Sequence, residues 1–321
     1  MKILFITLSN IGDVILSLPA LDMLRGIFPG AETTVMCGER PSEIFKDSPA
    51  VKRCIVYNKQ GSLLDRIKLV LELNRENFDV AVDLKNSVLP LFLKAKYKTY
   101  PWENAPHSVR HRHHRHLYKV KKFIRKEVKP ESFPGPNALY LSEDRIKEAS
   151  ILLEWAGVGI SDRLVVVSPG ARSHIKRWPA ERFAGLADKL IEDFKVKIIV
   201  VGDTLDSQNC RAMIEKMSGP AINFCGKTTL KTLAAVLKKA SLVISNDSAV
   251  MHLSSYLNRP TLAIFGPTDD KKYGPWSLRS EFIRSRISCA PCEAAQCRRT
   301  GLACMDDIKM EEVYAAAKRL L

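Results

Sequence analysis

The sequence predicts an α/β protein made of two Rossmann-like series of parallel strands. Three observations carry that expectation. Short apolar, β-branched runs alternate with stretches of helical period along most of the chain. The alternation breaks once, over residues 97–136, and then resumes. With 321 residues, 46% of them hydrophobic, the chain is long enough to bury the cores of two domains.

The first strand covers residues 2–8, and Ser9-Asn10-Ile11-Gly12 supplies the turn after it. Val14, Leu18, Leu21, Leu24 and Phe28 then recur at helical spacing, and Pro29-Gly30 stops the run. Asp13 falls in the first helical turn, where exposed amides and the macrodipole favour a negative charge. Aspartate is also a preferred capping residue, so Asp13 reads either as a cap or as a functional carboxylate. Strands follow at 33–37, 54–57 and 80–84, with helices near 62–76 and 87–95. Residues 97–136, interrupted by five prolines, read as a long loop, a basic helix around 114–127 and a linker. Residues 142–157 read as a connecting helix ended by Gly157. The second series has strands at 164–168, 197–201, 222–224, 242–245 and 262–265, with helices near 179–193, 207–217, 229–239 and 248–257. The last helix, 311–321, is expected to pack back across the domains. Two such series imply a cleft, with ligands outside the carboxyl ends of the strands.

Charge narrows the function classes. The chain holds 50 Lys and Arg against 35 Asp and Glu, a net charge of +15. Between Lys94 and Lys129 lie twelve basic residues against Glu103 and Glu127, so this tract carries ten of the fifteen charges, together with five of the seven histidines. Such a field raises the encounter rate with an anion: a phosphorylated substrate, an anionic membrane face or a nucleic acid. A solvated basic loop is the plain alternative. The arginines interleaved in His111-Arg112-His113-His114-Arg115-His116 would repel a metal cation, and the tract lacks the regular aromatics of a single-strand nucleic-acid platform.

The first 20 residues could be taken for a signal peptide, but Asp13 interrupts the apolar stretch that one needs. No other run approaches the roughly 18 apolar residues of a membrane span. A cytoplasmic chain is expected. The eight cysteines do not suggest a secreted disulfide scaffold. Cys289, Cys292, Cys297 and Cys304 have the spacing of a candidate structural zinc site, with reduced, packed thiols as the alternative.

Three loops after strands of the second series carry candidate chemistry. Residues 169–179 hold Lys176, Arg177 and Trp178 ahead of a helix, where a lysine can neutralise a phosphate as a point charge and Trp178 can simply anchor the loop. Gly202-Asp203-Thr204-Leu205-Asp206 places acids where ribose hydroxyls are commonly held. Asn246-Asp247-Ser248 opens a helix, a ready site for a diphosphate, although Asp247 or Ser248 can equally cap it. Gly226-Lys227-Thr228 fails as a P-loop because Ala221 occupies the required glycine position. No two aspartates are separated by a single residue, so the metal-binding D-x-D of one class of sugar transferases is absent, and protein cations with helix amides would replace the metal.

Taken together, Gly12-Asp13-Val14 with Ser17-Leu18-Pro19-Ala20-Leu21, Lys176-Arg177-Trp178-Pro179, Asn246-Asp247-Ser248 with Met251-His252-Leu253, and Phe265-Gly266-Pro267-Thr268-Asp269 with Gly274-Pro275 resemble the heptosyltransferase-like family of lipopolysaccharide-core glycosyltransferases, glycosyltransferase family nine. The resemblance runs over nearly the whole chain. It implies a GT-B fold: an acceptor-binding domain at 1–141, a nucleotide-sugar domain at 142–305 and a C-terminal helix at 306–321. It further implies inverting, metal-independent transfer from an ADP-sugar, ADP-heptose first among candidates, to an anionic inner-core glycolipid. Asp13 would be the catalytic base. Lys176, Asp206, Asn246, Asp247, Ser248 and His252 would meet the donor, and Arg110, Arg112 and Arg115 the acceptor. Asp206 stands where the family more often has Glu, and Ala249-Val250 replaces its usual Gly-Pro. The setting implies peripheral contact with the inner face of the cytoplasmic membrane and no nucleic acid. The competing readings are a GT-B transferase for another nucleotide-sugar, or a non-catalytic protein binding nucleic acid or a membrane surface through the basic tract.

Overall fold

The structure, a computed structural model, describes residues 1–58, 60–124, 138–299 and 301–321. The chain divides into two compact units, Met1–Tyr140 and Leu141–Leu321. Each is an α/β layer structure around its own parallel sheet.

The first unit has strands β1 (Lys2–Ile6), β2 (Glu32–Cys37), β3 (Arg53–Val56), β4 (Val80–Asp83) and β5 (Tyr97–Lys98), in the spatial order β3-β2-β1-β4-β5, all parallel. Ile3 to Ile6 are fully buried, as a central strand covered on both faces requires. Helix α1 (Ile11–Ile27) is held to β1 by the Thr7 and Ser17 hydroxyls, 2.6 Å apart, and Ser17 also donates to the Val14 carbonyl. Helix α2 (Leu63–Arg75) starts at a capping box formed by Ser62 and Asp65. Helix α3 (Arg112–Ile124) packs on α1 and turns His113, His116, Lys119 and Val120 inward. The expected helix at 87–95 is only a short 3-10 turn, Leu89–Phe92, and β5 lies inside what the sequence presents as loop. The basic tract beyond residue 124 and the proline linker lie outside the described residues.

The second unit opens with α4 (Glu143–Trp155) and builds its sheet from β6 (Leu164–Ser168), β7 (Lys197–Val200), β8 (Ala221–Asn223), β9 (Leu242–Asn246), β10 (Thr261–Phe265) and β11 (Ser280–Arg284), ordered β11-β10-β9-β6-β7-β8 and parallel throughout. Helices α5 (Ala180–Phe194), α6 (Ser207–Glu215), α7 (Leu230–Lys239) and α8 (Ala249–Tyr256) are the crossovers; α9 (Asp270–Tyr273) and α10 (Ala303–Asp307) are short. The last helix, α11 (Met310–Leu320), packs on α5, β9, β10 and β11 of its own unit. Trp178 is buried, donating its indole N–H to the Ile308 carbonyl and meeting Phe183 edge-on, so the loop after β6 is pinned to this core.

Candidate active site

Both strand orders contain a switch point, where the connections leave in opposite directions and the loops splay apart. In open parallel sheets ligands settle there. The switch lies between β1 and β4 in the first unit and between β6 and β9 in the second. Those four strand ends carry Asp13, Asp83, Lys176 and Asp247.

Asp13 does not cap α1. The backbone cap is Asn10, without a side-chain cap hydrogen bond, and Asp13 is the third residue of the helix, its carboxylate accepting from the Asn10 amide at 2.9 Å. The turn before it lies against the end of β2: Gly38 donates to the Leu8 carbonyl, and a Cβ at Gly38 would come within 2.8 Å of the Ser9 Cα. Across the switch, Asp83 is buried and accepts from the amide and hydroxyl of Ser87 and the amide of Lys85. Burial pushes its carboxyl above the usual range against those bonds. Lys119 reaches in from α3 and donates to the side-chain Oδ1 of Asn86 at 2.7 Å. Burial holds its ammonium below the ordinary lysine value, against the pull of Asp83 and Glu103. Asp83, Asn86 and Lys119 escape sequence reasoning because they are joined by topology alone; a polar run directly after a buried strand was the available signal.

The three arginines expected to meet the acceptor fall around the start of α3. Arg110 and Arg112 are exposed, and Arg115 is partly covered, donating to the Val109 carbonyl. His116, one turn after Arg112, is buried, its imidazole pushed down to about 3 by burial and then by Arg112, Lys119 and Arg115.

In the second unit the β6 and β9 loops meet directly. Lys176 Nζ lies 2.6 Å from Asp247 Oδ2, with side chains 31% and 7% exposed. His252 stacks on Trp276 with its Nε2 4.0 Å from the other Asp247 oxygen. Ser248 is the cap of α8, accepting from the Val250 amide and sharing a hydrogen bond with Ser245. Asn246, expected to meet the donor, is the last residue of β9. It is fully buried, and its side chain bridges the loops by donating to the Pro169 carbonyl and accepting from the Trp178 amide. Asn246 therefore ties the end of β9 to both ends of the segment that carries Lys176.

Asp206 sits between the ends of β6 and β7. It accepts from the Asp203 amide, and a Cβ on Gly170 would meet its Cγ at 2.1 Å, one on Gly202 its Cβ at 2.8 Å. Glycine at both positions lets the two strand ends close around the carboxylate. Burial foremost, and then the neighbouring Asp203, raise its carboxyl above the usual range.

Cys289, Cys292, Cys297 and Cys304 line one small pocket with Ile175 and Pro267, beside the β6 and β10 loops. Among the described residues no three His, Cys, Asp or Glu side chains are gathered as a metal ion would need. Among them, too, no helix is long and apolar enough to cross a membrane.

Comparison with known proteins places this geometry in a family. The sequence model of glycosyltransferase family 9 (heptosyltransferase) matches residues 66–303. The lipooligosaccharide heptosyltransferase 2 of Campylobacter jejuni subsp. jejuni serotype O:2 is 27% identical over all of this chain and 98% of its own. The crystal structure of a family 9 glycosyl transferase from Veillonella parvula DSM 2008 superposes with a TM-score of 0.82 at 25% identity, over 99% of this chain and 96% of that one. The E. coli ADP-heptose LPS heptosyltransferase II has the same fold, with a TM-score of 0.77 at 22% identity over 100% and 98% of the two chains. With the GT-B fold, the family's motifs at the strand ends and a family match across most of its length, this chain belongs to glycosyltransferase family 9, the heptosyltransferases, and is a glycosyltransferase.

Proposed function

We propose that the chain transfers a heptose from ADP-heptose to a hydroxyl of an anionic lipopolysaccharide inner-core glycolipid, inverting the anomeric carbon and using protein cations in place of a metal. The observation that carries the reading is the Lys176–Asp247 pair at the β6/β9 switch point, directly before the amides of α8. A lysine beside a helix start is the arrangement a leaving diphosphate needs, because its charge grows as the glycosidic bond breaks.

In this reading the second unit, Leu141–Leu321, holds the donor and the first, Met1–Tyr140, presents the acceptor. Asp206 accepts from the ribose hydroxyls. Lys176 and the α8 amides take the diphosphate, with Asp247 aligning Lys176 and His252 backing Asp247. The acceptor oxygen approaches the anomeric carbon from the face opposite the diphosphate. Asp13 takes the hydroxyl proton as the new C–O bond forms, the old one breaks, and its electron pair leaves on ADP. Asn10 steadies the Asp13 carboxylate. Arg110, Arg112 and Arg115 pair with carboxylates and phosphates on the acceptor.

A thermal-shift panel of ADP-, UDP-, GDP- and CDP-sugars, followed by turnover of the best binder on an inner-core acceptor, tests this. ADP-heptose should give the largest shift and be consumed. A larger shift and turnover with another nucleotide-sugar would replace the donor. Salt-dependent nucleic-acid binding without any turnover would overturn the reading.

A further inference from the structure

One side of α2 is apolar yet uncovered. Leu63, Leu64, Ile67 and Leu71 are all exposed, Leu63 at 74%, and helical spacing puts them within about 100° of arc. The helix already buries its other apolar side, through Leu73 and the partly covered Leu69, against Phe78 and Leu93. The stripe is therefore surplus to the core. It continues onto the neighbouring turn, because Asn74 donates to the Phe92 carbonyl and accepts from the Lys94 amide, holding Val88, Leu91 and Phe92 alongside. All three are exposed, Phe92 at 62%. An apolar surface of this extent on a polar chain marks an interaction site.

Its border supplies the sign of the partner. Lys68 and Arg75 lie just outside the stripe on α2, and Lys94 and Lys96 follow the Phe92 turn; all four are exposed. The helix's acids, Asp65 and Glu72, lie beyond that basic border, and Asp65 is tied to Ser62. A helix with an uncovered apolar stripe and a basic edge is the form that lies in the plane of an anionic bilayer, its apolar side chains among the acyl chains and its lysines at the phosphates.

We propose that the α2 stripe and the Val88–Phe92 turn form the surface by which this protein docks on an anionic lipid bilayer. The choice of a bilayer over an acidic protein rests on the glycolipid-acceptor reading above. This face is separate from the arginines at the start of α3, so membrane docking and capture of the acceptor head group are different functions of different residues.

Flotation of the full chain with vesicles of phosphatidylethanolamine and phosphatidylglycerol, compared with phosphatidylcholine alone, tests it. The wild type should float with the anionic vesicles. The triple variant Ile67→Ser, Leu71→Ser, Phe92→Ser should lose about tenfold in partitioning with little change of its thermal midpoint, since all three residues are exposed. In an otherwise native chain, Phe92→Trp should shift its emission to the blue on adding anionic vesicles. Undiminished binding of the triple variant overturns the proposal, as does absence of binding by the wild type. So does a wild-type dimer, seen by sedimentation, that the triple variant dissociates with no vesicle binding in either, for then a second copy covers the face. Vesicle binding needs neither donor nor turnover, so it can fail while heptosyl transfer stands, and the reverse.

Discussion

Replacing Lys176 by Met separates a structural ion pair from a phosphate ligand. The substitution leaves Asp247, 7% exposed, without the cation 2.6 Å from it. Breaking a fully buried pair costs ~3–5 kcal/mol. The lysine is 31% exposed, and solvent screens what remains, so a loss of about 1–2 kcal/mol is expected for the second unit. The catalytic loss is larger: removing one charge aimed at a leaving diphosphate costs about 100- to 1,000-fold in kcat. Asp247→Asn breaks the same pair but keeps the cation, so it should lose stability to a similar degree and turnover by only about tenfold. Lys176→Arg should recover part of the lost rate, because charge is kept while its geometry changes. The assay is ADP release with saturating acceptor, beside denaturant midpoints for each variant. Equal losses of rate in Lys176→Met and Asp247→Asn would refute the argument, since the pair would then matter as a unit of structure. A Lys176→Met enzyme within threefold of wild type would refute it as well.

Gly170→Ala should weaken donor binding by at least about tenfold, because its Cβ would stand 2.1 Å from the Asp206 Cγ and force that carboxylate away from the strand ends; calorimetry with ADP reads the change. His116 gives a pH signature. Its folded value of about 3 lies below the ordinary 6.5, so the unfolded chain takes up a proton first, and stability present above pH 6.5 is lost as pH falls towards 3. The slope approaches about 1.4 kcal/mol per pH unit, and His116→Gln should flatten the pH dependence of urea unfolding between pH 6 and 4 by that amount; parallel curves would contradict it. Replacing Arg110, Arg112 and Arg115 by Ala should raise the acceptor KM about tenfold or more and leave ADP affinity unchanged; lost ADP affinity would give the tract another role.

The central strands are legible because parallel layers covered on both faces leave continuous apolar runs, as in residues 3–6 and 164–167, which are almost entirely buried. The edges are not. β11 pairs on one side only and carries Glu281 and Arg284, so Ser280–Arg284 has no apolar signature, and β5 is two residues long. The loops that hold Asp13, Lys176, Asp206 and Asp247 could be found because each directly follows a buried strand. The grouping of Lys176, Asp206 and Asp247 could not be found the same way: which strand ends adjoin depends on the order β9-β6-β7, a property of the folded sheet. For the same reason the inward clamp of Asn246 and the approach of Lys119 to Asp83 and Asn86 came only with the structure, as residues far apart in sequence that share one sheet end. Asp13 shows the other limit. Sequence places it in the first turn but leaves it equally as a cap, and only the structure gives the cap position to Asn10 and sets the Asp13 carboxylate on the Asn10 side chain.

Asp13→Asn isolates the removal of the acceptor proton, since the amide keeps the size of the carboxylate and cannot serve as the base. Donor affinity by calorimetry and turnover under saturating donor and acceptor are measured on the same preparation. With Asp13 as the base, ADP-sugar binding should stay within about twofold of wild type and turnover fall at least about 100-fold, in the range of a lost general base. Turnover close to wild type with binding intact would contradict it.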